Sequence, residues 1–131
     1  MKKKIFIIIF CTFAFTQNVF SFSADPKEFI SEIVSEAKKI LIETNSKEFK
    51  TKGLSELALK TVDIKGVAYY SLGKYKKQLN EEQMDKFLGL FEKYFLKSFT
   101  SRLTDYSDPK IDVLETKVIN EKYTIVKSLL L

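Results

Sequence analysis

Apolar positions along this chain change period once. From Phe29 to Leu103 they recur at steps of three and four residues; from Ile111 onward they alternate with polar ones. The first regime predicts amphipathic helices and the second predicts strands. A first helix opens at Asp25 as N-cap, with Pro26 at the first helical position and Glu28 placed to complete a capping box. Phe29, Ile30, Ile33, Val34, Ala37, Ile40 and Leu41 line its apolar side to about Glu43, and Lys27, Glu32, Glu36, Lys38 and Lys39 cover the other. The spacing predicts a polar loop or short helix over Asn45 to Gly53. A short apolar helical face follows, made of Leu54, Leu57, Ala58 and Val62. Asp63 then caps a piece from Ile64 to Leu72, and Gly73 suits the left-handed position that closes a helix.

The longest predicted helix opens at Asn80, with Gln83 placed for a capping box. Glu81, Glu82 and Asp85 favour its positive end, and Lys97 and Arg102 its negative end. Met84, Phe87, Leu88, Phe91, Tyr94, Phe95, Phe99 and Leu103 share one broad face, with Leu90 and Leu96 on the flanks. A single helix contact needs an apolar stripe of roughly 100°. This face is wider, which predicts contact with a sheet as well, or with a ligand. Aromatic residues at helical spacing are ordinarily core, so the residues alone reach only an exported α+β domain with room for an apolar pocket.

After Asp105 the alternating run Ile111–Ile119, the short turn Asn120-Glu121-Lys122 and the run Tyr123–Leu129 predict an antiparallel hairpin. Helices followed by strands imply the α+β class. The chain stops at Ser128-Leu129-Leu130-Leu131, within a predicted strand. An apolar finish of that kind implies either an incomplete sequence or a buried terminal strand.

Composition changes the picture at the N-terminus. Lys2, Lys3 and Lys4 precede an uncharged apolar core of roughly 11 residues, Ile5 to Phe15, short of the ~20 that a spanning helix needs. Ser21 and Ser23 flank Phe22 as a small-residue pair for cleavage before Ala24. Residues 1–23 are therefore expected to be a cleaved signal peptide and 24–131 a single domain. Cys11, the one cysteine, lies in the signal's apolar core, so the mature chain needs no disulfide on export. Without Lys2, Lys3 and Lys4 the 22 basic residues fall to 19 against 17 acidic, and the net charge drops from +5 to +2. That modest balance argues against a nucleic-acid partner.

The chemistry-bearing residues are few. The chain has no histidine, so the usual zinc sites and the Ser-His and Cys-His nucleophile pairs are excluded. The four glycines form no phosphate-binding loop. Asp105, Asp108 and Asp112 lack the spacing of a calcium loop and suit turns and caps. No metal, no cofactor and no enzymatic activity are expected. Arg102, the only arginine, falls in line with Met84 and Phe95. A guanidinium there suits a phosphate at a pocket mouth, or snorkels from the last helical turn; the second reading is preferred.

The segment Asp63 to Tyr106 resembles the MlaC family, also called the toluene-tolerance family of periplasmic phospholipid carriers. The resemblance rests on the order and spacing of Asp63, Leu72-Gly73-Lys74-Tyr75, Glu82-Gln83, Phe87 with Phe91, and Leu103 with Tyr106. Tyr75 stands where relatives often have Trp, and Phe99 where a Tyr is common. The resemblance implies N-terminal helices packed on an antiparallel, NTF2-like sheet, incomplete here because relatives continue with further strands and a final helix. It implies a periplasmic carrier that shuttles phospholipid between the inner and outer membranes. Its implied partners are phospholipid, an inner-membrane ABC transporter complex bearing an MCE-domain protein, and an outer-membrane lipoprotein complex. Val67, Tyr70, Phe87, Phe91, Phe95 and Phe99 are the implied candidates for lining an acyl-chain site. The competing expectation is an exported interaction or structural protein whose apolar helix face packs only on itself or a partner, with no lipid cavity.

Overall fold

The computed structural model describes residues 21–43 and 46–131. The expected signal peptide lies outside the described residues as far as Phe20, and Cys11 lies outside them too. Helix α1 (Pro26–Ile42) starts at Asp25, whose carboxylate accepts from the N–H groups of Lys27 and Glu28 at 2.9 Å each. The reciprocal half of the expected capping box is indirect. The Asp25 N–H donates to the Ser23 hydroxyl oxygen at 3.1 Å, and that hydroxyl donates to Glu28 Oε2 at 2.9 Å. Ser23 thus relays the bond that Glu28 makes directly in a standard box.

The polar stretch after residue 45 does not form a loop. Helix α2 (Lys47–Thr61) runs unbroken through it and joins the Leu54 face to it, with Ser46 as N-cap accepting from the Phe49 N–H at 3.3 Å. Gly53, which weakens a helix interior by about 1 kcal/mol relative to Ala, sits where α1 comes closest. A Cβ at this position would stand 3.1 Å from Cγ2 of Ile40. Close packing between α1 and α2 therefore accounts for the glycine, and tertiary contact overrides its low propensity.

Helix α3 (Ile64–Leu72) is capped by Asp63, which accepts from the Gly66 N–H at 2.9 Å. Gly73, with φ 51°, ends it in a backbone conformation that L side chains rarely adopt. A 3₁₀ segment, Gly73–Gln78, follows and buries none of its residues. Helix α4 (Glu81–Leu103) opens with the predicted capping box. Asn80 Oδ1 accepts from the Gln83 N–H at 2.9 Å, and Gln83 Oε1 accepts from the Asn80 N–H at 3.1 Å.

Strands β1 (Ile111–Asn120) and β2 (Tyr123–Leu130) pair antiparallel as a two-stranded sheet. Asn120 Oδ1 fixes the turn by accepting from the N–H groups of Lys122 and Tyr123 at 2.9 and 3.0 Å. The pairing is irregular between Val113 and Thr116 and again between Val118 and Asn120.

The elements pack in a row. The hairpin lies against α1, α1 against α2, α2 against α4, and α4 against α3. The result is the α+β class with an open, incomplete sheet. The buried apolar side chains of the described helices are Leu41, Leu54, Leu57, Ala58, Ile64 and Ala68, with α2 supplying three of the six, and Pro109 is enclosed ahead of β1. Leu54 is fully enclosed at 0% exposure. The buried Thr100 hydroxyl is satisfied within α4 by the Leu96 carbonyl at 2.9 Å. No helix among the described residues is long and apolar enough to cross a membrane.

Two substitutions separate the core from the caps. Leu54→Ala should cost about 3 kcal/mol of unfolding free energy, in the middle of the range for buried leucines. Asn80→Ala should cost about 1 kcal/mol. Urea denaturation followed by circular dichroism measures both, and equal losses would contradict this placement of the core.

Candidate functional site

Helix α4 projects Phe87, Phe91, Phe95 and Phe99 at four-residue intervals, and such neighbours lie one turn apart along one side. Their rings form a continuous ladder. Centroids are 5.8 Å apart for Phe87–Phe91, 6.5 Å for Phe91–Phe95 and 6.0 Å for Phe95–Phe99. The upper two steps are nearly parallel, with interplanar angles of 21° and 9°. At 1.5 Å of rise per residue the ladder is about 18 Å long.

None of the four phenylalanines is buried; each is half-buried. The cause is the packing order of the fold. Helix α4 has α2 and α3 as its principal neighbours, and the hairpin packs chiefly on α1. The sheet therefore does not roof the ladder as the width of the face suggested. The same face is less uniform than its pattern implied, because Tyr94 stands 69% exposed and Leu90 on the flank 58%. Leu96 and Leu103 are half-buried.

The other two candidates belong to α3. Val67 is exposed, and Tyr70 is 90% exposed. The structure thus unites four of the six candidates into one surface and leaves Val67 and Tyr70 facing solvent beside it. Two nearby hollows are lined by none of the six. One, of about 210 Å³, sits on the α3–α4 seam between Ile64, Lys65, Asp85, Leu88, Gly89 and Glu92. The other, of about 540 Å³, opens between α1 and α2 over Ile40, Phe49 and Leu57, with Glu36, Glu43, Glu56 and Lys60 at its edges. The sequence reading did not anticipate this groove. Its signal was Gly53, which the pattern placed at the end of a polar loop or short helix and which the fold sets against Ile40.

Polar groups near the ladder's far end are accounted for. Arg102 is exposed in the last turn of α4, beside Asp105 and Tyr106. Asp105 pairs with Lys47 across to α2 at 3.0 Å. This placement agrees with the snorkelling reading of Arg102. Among the described residues no group of three His, Cys, Asp or Glu side chains is gathered to hold a metal ion.

The ladder's exposure has a stability consequence. Phe95→Ala removes a side chain that keeps a minority of its surface in water, so it should cost about 2–3 kcal/mol, below the ~3–5 kcal/mol of a fully buried Phe. The same urea titration tests this, and a loss as large as that of a fully buried Phe would mean that the ladder is ordinary core.

No curated protein and no solved structure matches the chain. Residues 27–131 match the family model described as MlaC protein. The match begins one residue after the start of α1 and takes in every later helix, the ladder and both strands of the hairpin. The chain belongs to the MlaC family.

Proposed function

We propose that this chain is a phospholipid-binding carrier of the periplasm that holds acyl chains against the phenylalanine ladder of α4. The observation that carries the reading is the incompletely buried ladder Phe87–Phe91–Phe95–Phe99 on a chain of the MlaC family. A ladder about 18 Å long is close to the acyl layer of one leaflet, about half of a hydrocarbon core ~30 Å thick. Burying about ten methylenes of one tail along it would contribute about 8 kcal/mol without a charged contact. Recognition of that kind leaves the headgroup near solvent and tolerates headgroups of different chemistry.

Family membership supports the wider setting. The carrier would receive or deliver lipid at an inner-membrane ABC transporter complex bearing an MCE-domain protein, and at an outer-membrane lipoprotein complex. It would carry its ligand unchanged. The absence of histidine from the sequence and the confinement of cysteine to Cys11 support carriage over conversion.

Native mass spectrometry of the exported protein, with extraction of the bound lipid, tests the reading. Phospholipid should co-purify with the wild-type chain. Phe91→Asp places a carboxylate in the middle of the ladder and should abolish co-purification while the helical circular dichroism persists. A wild-type protein that is folded and lipid-free would instead support an exported interaction protein without a lipid site.

A further inference from the structure

The sixteen residues from Ile64 to Leu79 contain four lysines and no acidic residue. Residues 24–131 carry +2 overall, so this segment holds +4 and the rest of that stretch −2. The fold displays three of these lysines together. Lys74, Lys76 and Lys77 occupy the 3₁₀ segment, all exposed, and none is paired with a carboxylate among the described residues. Gly73 turns the chain out of α3 immediately before them.

Aromatic rings stand among the charges. Tyr70 projects from the last turns of α3 at 90% exposure, and Tyr75 is 56% exposed within the lysine run. Local contacts hold two of the ammonium groups in place. Lys76 Nζ lies 4.2 Å from the Tyr69 ring centroid, and Lys74 Nζ lies 5.4 Å from that of Tyr75. The acidic groups that follow in α4 are Glu81, Glu82 and Asp85, of which Glu81 and Asp85 line a dip shared with Tyr69.

We propose that the α3 end and the 3₁₀ segment form a docking surface for an anionic lipid bilayer. Lys74, Lys76 and Lys77 would face the headgroup phosphates, and the Tyr70 and Tyr75 rings would lie at headgroup depth. Tyrosine favours that interface because its ring is apolar and its hydroxyl is wet. Lysines beside an anionic surface add attraction without any matched shape. An acidic protein face fits less well. One six-residue 3₁₀ segment and a helix end are small against the ~800 Å² per partner of a stable protein interface. The asymmetric charge also turns this end of the chain toward a negative surface before contact. Docking concerns where the chain settles and is separable from whether the ladder holds lipid.

Co-sedimentation of the exported protein with vesicles tests the proposal. One set is phosphatidylcholine alone, and the other includes roughly one-third phosphatidylglycerol to supply the negative charge. Binding is expected to the anionic set only, and to fall in about 0.5 M NaCl, where the screening length is well below 10 Å. Each lysine near such a surface strengthens association about fivefold, so the combined variant Lys74→Glu, Lys76→Glu, Lys77→Glu should weaken it at least about a hundredfold. Tyr70→Ser, at a position already in water, should weaken it severalfold while leaving the salt dependence intact. Absence of wild-type binding to anionic vesicles, or equal binding by the triple variant, would overturn the proposal. So would vesicle indifference combined with lysine-dependent retention on immobilised polyglutamate, which would assign the patch to an acidic protein. Lipid content read on the same samples keeps the two ideas apart. Lysine-dependent vesicle binding by a lipid-free wild type would sustain docking and sink carriage.

Discussion

The close approach of α1 and α2 at Gly53 and Ile40 is the contact on which the arrangement depends. Helix α2 is the hub of the packing row. On one side it meets α1, which carries the hairpin; on the other it meets α4, which carries α3 and the aromatic ladder. Its Leu54, Leu57 and Ala58 make up half of the buried apolar side chains of the described helices. Because so few side chains close the core, stability is concentrated at this junction. The four phenylalanines of α4 are not among that enclosed set, and each keeps part of its ring surface in water. An apolar surface of that kind is costly in water, which is a physical reason for it to have an occupant.

Much of the architecture is legible in the sequence because it is written in local chemistry. Asp25, Asp63 and Asn80 each cap the helix that their position announces, and Gly73 closes α3 as its freedom of backbone suggests. Asn120 sets the hairpin turn through its own side chain. The ladder follows from the four-residue spacing of Phe87 to Phe99. What the pattern does not contain is the identity of each element's neighbour. The start of α2 was left open between a polar loop and a short helix because Gly53 and the lysines around it suit either, and the proximity of Ile40 explains the glycine. Tyr94 and Tyr70 fall on apolar helical stretches, yet both are exposed, because no other element comes to cover them.

The two proposed surfaces of the chain differ in physical kind. The ladder is uncharged, elongated and regular, suited to a flexible hydrocarbon that needs area and little geometry. The lysine-tyrosine end is charged, compact and locally braced by ring contacts, suited to a diffuse negative surface. Helices α3 and α4 pack directly together, so both surfaces belong to one rigid pair of helices. A ligand leaving one surface for a membrane held at the other would travel along that pair and not across the hairpin.

The hairpin has a separate consequence. Among the described residues, a sheet of two strands leaves the outward amide and carbonyl groups of both β1 and β2 without ladder partners, and Val118 and Tyr123 near the turn are 70% and 68% exposed. Such a ribbon invites another chain to add itself edgewise, the route by which strands grow into fibrils. The chain carries its own brakes. Lys117 would repel a like-charged copy brought alongside, Lys127 being paired with Glu115 on the neighbouring strand, and the two register breaks bend the ribbon away from the flatness that stacking requires. In concentrated solution these few residues of the ribbon therefore bear on whether copies of the chain join edge to edge.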